Sequence, residues 1–153
     1  MSERQGSPKA QLERFIRKYS PAVAAQGRAT LTKTRRLLPG AVQLVYDNYN
    51  FLVVGFGPSE RALEAVLSVI FAPRWISICL IRGKGLPDPQ RLLRGSGNQV
   101  RSIRLETPQD LDTPAVRALI TLALERARVP IDHTARGRLV IKSISAKQRP
   151  RRP

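Results

Sequence analysis

Seven consecutive residues, Trp75-Ile76-Ser77-Ile78-Cys79-Leu80-Ile81, constrain this chain more than any other stretch. They are apolar at all but one position, rich in isoleucine, and bounded by Pro73 before and Gly83 after, which is what a strand buried on both faces requires. Such a strand needs neighbours on either side and cover above and below. The rest of the chain is expected to supply that cover.

The chain has 153 residues, enough for one domain to bury a core without help from a metal or a disulfide. We expect one domain over residues 1–144 and a basic, Arg/Pro-rich, disordered tail over residues 145–153. Cys79, the single cysteine, excludes a disulfide framework and lies where a thiol behaves as a small hydrophobe. Nothing near Met1 reads as a signal segment, and no apolar run approaches the roughly 20 residues of a membrane span. The expectation is a reducing, cytoplasmic setting with no membrane association.

Three helix openings share one chemistry. Ser7-Pro8, Ser20-Pro21 and Thr113-Pro114 each place a hydroxyl that can cap before a proline whose missing N–H would be unsatisfied in a first turn anyway. Leu12, Phe15, Ile16 and Tyr19 then recur at helical spacing, predicting a helix over about 8–18. A second should run over about 21–37 with Val23, Gly27, Leu31 and Leu38 inward, until Pro39-Gly40 stops it. The third carries Val116, Leu119, Ile120, Ala123, Leu124 and Ala127 as its buried stripe and ends at Val129-Pro130.

Beyond Gly40 the hydrophobic period changes from 3.6 to 2. Residues 41–46 and 51–56 read as a hairpin joined by Asp47-Asn48-Tyr49-Asn50. A third strand is expected over about 62–71, the buried strand over 75–81, and an edge strand near 100–105. Residues 83–98 are punctuated by Gly83, Gly85, Pro87, Pro89, Gly95 and Gly97, leaving room for a helical turn at 90–93. Residues 138–144 could add a short strand. The pattern is α+β: an antiparallel sheet of about five strands with helices packed on one face.

The formal net charge is +16, and its placement says more than its size. Residues 1–40 carry nine bases against two acids, and the eighteen residues from Arg136 carry seven bases and no acid, whereas eleven bases between them face nine acids. The surplus therefore sits on the two ends. Lys147, Arg149, Arg151 and Arg152 in the tail suit weak, salt-sensitive attraction to nucleic-acid phosphates. Aromatic residues make up only 5% of the chain, too few for a base-stacking platform.

Conventional catalytic arrangements are missing from the pattern. His133 is the only histidine and follows Asp132 in a loop, with no partner that spacing would orient. The apolar neighbours of Cys79 should raise its pKa. The glycines at 83, 85, 95 and 97 match neither phosphate-loop nor dinucleotide spacing. Lys84, Arg91, Arg94, Arg101 and Arg104 nevertheless gather around them, which makes this the first place to expect an anionic ligand. Arg74 and Trp75, with Asp47, Asn48 and Tyr49 of the hairpin turn, form a second candidate pocket.

Leu38-Pro39-Gly40-Ala41, Leu86-Pro87-Asp88-Pro89, Leu92-Leu93-Arg94-Gly95-Ser96-Gly97, Val100-Arg101-Ser102-Ile103-Arg104, and Asp110-Leu111 leading into residues 114–124 follow one another in a characteristic order. In these motifs the chain resembles the YdhG-like domain family, of unknown function, over roughly residues 10–128. The resemblance implies a frataxin-like α+β layout, and in one branch an iron-chaperone role. Where members often carry acids after the Leu-Pro-Gly-Ala turn, this chain has Val42 and Gln43, and its scattered acids provide no carboxylate cluster for hard iron. The expected function is a non-enzymatic binding module without cofactor or metal, whose partner is an unidentified protein or small anionic ligand. Weak nucleic-acid binding and iron delivery are the alternatives.

Overall fold

The computed structural model describes residues 6–153; residues 1–5, which the expected domain of residues 1–144 includes, lie outside the described residues. Two helices, α1 (Pro8–Arg17) and α2 (Pro21–Leu37), precede a meander of β1 (Val42–Asp47), β2 (Leu52–Gly57), β3 (Leu67–Phe71), β4 (Ile76–Leu80) and β5 (Arg101–Leu105). Helix α3 (Pro114–Glu125) and strand β6 (Arg138–Ile144) follow. The capping hydroxyls act as their spacing suggests: Ser7, Ser20 and Thr113 accept from the amides of Ala10, Val23 and Val116.

The sheet has six strands in the order β5-β4-β3-β2-β1-β6. This corrects two expectations, five strands and a purely antiparallel sheet. Strand β6 returns along the far edge and pairs with β1 in parallel, Val42 opposite Arg138 and Leu44 opposite Val140, with an irregularity between Val45 and Tyr46. A parallel pair needs a long crossover, and residues 106–137, carrying α3, provide it. The buried strand, β4, lies second from the β5 edge with a neighbour on either side, and all five of its residues are buried.

Alternation along the strands sends Val45, Leu52, Val54, Phe56, Val69, Phe71, Ile76 and Ile78 to one face, where they join Leu12, Phe15 and Ile16 of α1, Leu31 of α2, and Leu119 and Ile120 of α3 in one core cluster. Ile76, Ile78 and Leu80 are each 0% exposed. At about 1.5–3 kcal/mol per fully buried large aliphatic side chain, that row outweighs any surface ion pair, worth about 0–1 kcal/mol.

Residues 62–71 do not form one strand. Ala62–Glu64 is a 3-10 turn and only Leu67–Phe71 is extended, because the Ser59 hydroxyl donates to Glu64 and accepts from the Arg61 amide, tying the chain into a local turn. Glu60 of the same excursion accepts from Arg138 and Lys142 of β6, while Ala65 lies against Gly57 of β2. The segment thus bridges the face opposite the helices, which accounts for the burial of Val42 and Leu44 there. Residues 90–93 form no helical turn; the Asp88 carboxylate takes the amides of Leu92 and Leu93 and holds them in a loop.

The tail departs most from its composition. Instead of standing apart as a disordered segment, it runs along the β1–β2 turn: the amides of Ser145 and Arg149 donate to the carbonyls of Asp47 and Tyr49, and Arg151 is only 5% exposed. Charge and proline content carry no information about a buried carboxylate elsewhere that needs a cation, and Asp47 is 0% exposed.

Gly40 closes α2 with φ +83°, and a Cβ there would overlap the Asp132 carbonyl oxygen. Here a glycine is required twice over, for the left-handed turn and for the close approach of the loop that leads into β6.

Candidate anion-binding groove

Each arginine of the glycine-punctuated loop is placed by backbone chemistry. Arg126, just past α3, donates to the carbonyls of Arg82, Lys84 and Gly85 and anchors the start of the loop. Arg94 then pairs through its backbone with Ser102 of β5, both N–H···O contacts formed at 2.8 and 2.9 Å. Between these ties the chain turns through Arg91, the one described non-glycine residue with positive φ, at 54°.

The result is a groove of about 470 Å³ between this loop, β5 and the start of α3. Arg91, Arg94 and Arg104 line it, with Gln90, Glu106 and Asp110. The two acids are not equivalent. Asp110 is committed to the backbone, accepting from the amides of Glu106 and Thr107 and from the Thr107 hydroxyl. None of the three arginines has a carboxylate within ion-pair distance among the described residues. Arg104 instead lies over the Trp75 ring, 3.8 Å from its centroid. The pleat explains this contact: Ser77 pairs with Arg104, so Trp75, two residues earlier on the same face, is its diagonal neighbour.

The structure therefore separates residues that sequence neighbourhood grouped. Arg91, Arg94 and Arg104 come together. Arg101 is turned inward on its own loop, donating to the carbonyls of Gly97 and Val100, and Lys84 is exposed outside the groove lining. Trp75 joins the groove residue Arg104 rather than the hairpin turn, and Arg74 is exposed in the β3–β4 turn.

The turn at Asp47, Asn48 and Tyr49 is occupied by the protein itself. Arg151 donates to the Asp47 carboxylate at 2.9 Å and to the Asn48 and Tyr49 carbonyls, while Lys18 reaches the other Asp47 oxygen at 2.6 Å. Gln148 accepts from Lys18 and donates to the Asp47 carbonyl, and Arg151 lies 5.8 Å from the centroid of the Tyr19 ring. Lys18, Tyr19 and Gln148 were not expected at this turn; a lone acid at the end of an apolar strand was the available signal. Of the tail bases, Arg152 donates to the carbonyls of Arg17 and Lys18, and Lys147 and Arg149 are exposed.

Burial pushes the Cys79 thiol above its ordinary pKa. Since the thiolate is the reactive form, alkylation by iodoacetamide at neutral pH is expected to be at least about tenfold slower in the native protein than in urea, as read by mass spectrometry; equal rates would refute this. His133 is exposed, and its neighbour Asp132 is held below the usual carboxylate range chiefly by the Thr134 hydroxyl and amide. Among the described residues no three His, Cys, Asp or Glu side chains gather as a metal-holding group, and no helix is long and apolar enough to cross a membrane.

No protein-family model, curated protein or solved structure matches this chain.

Proposed function

We propose that this protein is a non-enzymatic binding module of the YdhG-like type, with a frataxin-like layout, whose groove at Arg91, Arg94 and Arg104 takes a small anion or an anionic group of a partner protein. The observation that carries this reading is three guanidinium groups lining one concavity with no counter-carboxylate in ion-pair range among the described residues. Guanidinium is suited to forked, bidentate contact with phosphate or carboxylate oxygens. Nearby Asp110 is saturated by backbone donors and so competes little for the arginines.

Trp75 is the sole tryptophan and stacks with Arg104, so its fluorescence reports on the groove. Titration with pyrophosphate at low salt is expected to give a saturable change in that emission. Arg91→Gln/Arg94→Gln, which leaves the Trp75–Arg104 stack in place, should weaken the apparent affinity at least about tenfold, in line with about 1.5–3 kcal/mol for hydrogen bonds to charged groups. Superimposable titrations of the two proteins would overturn the reading. Nucleic-acid association through the termini is a weaker reading, because Arg151 is buried against Asp47 and Arg152, at the surface, donates to the Arg17 and Lys18 carbonyls.

A further inference from the structure

A second concavity lies away from the arginine groove, between the Ala62–Glu64 turn and the carboxyl end of α3, with a volume of about 520 Å³. That is within the roughly 300–1,000 Å³ typical of small-molecule sites. Its walls are mainly aliphatic: Val66 behind the turn, Ala123 on α3, and Ala127 and Val129 just past the end of that helix. No aromatic ring lines it, so it has no surface on which a base or sugar would stack.

Three cations border these walls, Arg61, Arg82 and Arg128. Arg61 is 3.7 Å from Glu64, whose carboxylate also accepts from Ser59 at 2.7 Å, so those two charges largely answer each other. Arg82 and Arg128 have no carboxylate in ion-pair range among the described residues. At the lip stands Leu63, 88% exposed, the most exposed large hydrophobic side chain among the described residues. Covering a leucine of that exposure is favourable by about 25 cal/mol for each Å² of apolar surface removed from water.

An aliphatic cavity, an uncovered leucine at its mouth and two unanswered guanidinium groups at its border call for one kind of molecule. We infer that this cavity binds an amphipathic monoanion, its hydrocarbon chain against Ala123, Ala127, Val129 and Leu63 and its carboxylate at Arg82 and Arg128. A polyanion without a chain would leave the walls wet, and a neutral chain would leave the arginines unpaired. The site shares no residue with the Arg91, Arg94 and Arg104 groove and stands or falls independently of it.

The test uses the full chain and dansyl-undecanoate, kept below its micellar concentration. Saturable one-to-one binding is expected, with displacement by decanoate at least tenfold more effective than by decanol and none by inorganic phosphate. Arg82→Gln/Arg128→Gln should weaken the probe at least tenfold and leave the decanol competition unchanged. Ala127→Trp, filling the cavity, should abolish binding. If Ala127→Trp fails to fold, the arginine pair still decides, since Arg128 is exposed and Arg82 only partly buried. Absence of saturable binding, equal displacement by acid and alcohol, or wild-type affinity in the arginine variant would each overturn the inference.

Discussion

Arg151→Met is expected to lower stability in urea by about 3 kcal/mol, the cost of stranding a buried charge, and the melting temperature by roughly 6–12 °C for a chain of this size. Asp47 and Arg151 have side chains 0% and 3% exposed, and the two hydrogen bonds Arg151 makes to the Asn48 and Tyr49 carbonyls leave with it. Lys18 remains at the second Asp47 oxygen, but its side chain is 40% exposed and its ammonium cannot form the same fork. The geometry is not perfect, since Arg151 Nε is buried without an acceptor among the described residues. Arg151→Lys should therefore recover only part of the loss. A double-mutant cycle with Asp47→Asn should yield a coupling of about 1–3 kcal/mol. Unchanged urea midpoints in Arg151→Met would show that the tail is not held as described.

Gly27→Ala is the second large effect, and its sign runs against helix propensity. Alanine in place of a helix-interior glycine normally gains about 1 kcal/mol. Here the new methyl would overlap the ring of Phe71, which is 0% exposed and packed against Tyr19 with ring centroids 5.6 Å apart. The ring has little freedom to retreat, because the Tyr19 hydroxyl donates to the Phe71 carbonyl at 2.9 Å and accepts from the Leu52 amide at 3.1 Å. Overpacking of this kind costs about 1–3 kcal/mol, so a net loss is expected on urea unfolding. Phe71→Leu, destabilising by itself, should cost less in the Gly27→Ala background than alone. A stabilised Gly27→Ala protein would mean that α2 does not approach β3 so closely.

Helices were the most legible part of this chain because their signals are local. A hydroxyl, a proline and a 3.6 period all lie within a few residues, and the resulting caps at Ser7, Ser20 and Thr113 form where the spacing puts them. The hairpin was legible for the same reason. Strand β6 yielded its position but not its direction or partner, since nothing within residues 138–144 specifies that Val42 will stand beside Arg138. At the groove, the cluster of arginines was visible as charge among glycines, yet which of them converge was not. That selection depends on the Arg94–Ser102 backbone pair and on the β4–β5 register, both products of chain meeting chain across a distance. Asp47 was misread for a related reason. Its turn chemistry is evident in sequence, whereas its burial depends on a cation 104 residues away.

That separation bears on how the protein resists self-association. Strands β1 to β5 can assemble from successive hairpins, whereas docking β6 against β1 must close a long stretch of chain at an entropic cost. Whenever β6 and the residues behind it come loose, β1 is left as a bare border with the run Val42-Gln43-Leu44-Val45-Tyr46 open to pairing. The Asp47–Arg151 contact ties the chain beyond β6 to the end of β1, and variants that weaken it are expected to scatter light on heating at temperatures where far-ultraviolet circular dichroism still shows the rest of the sheet intact.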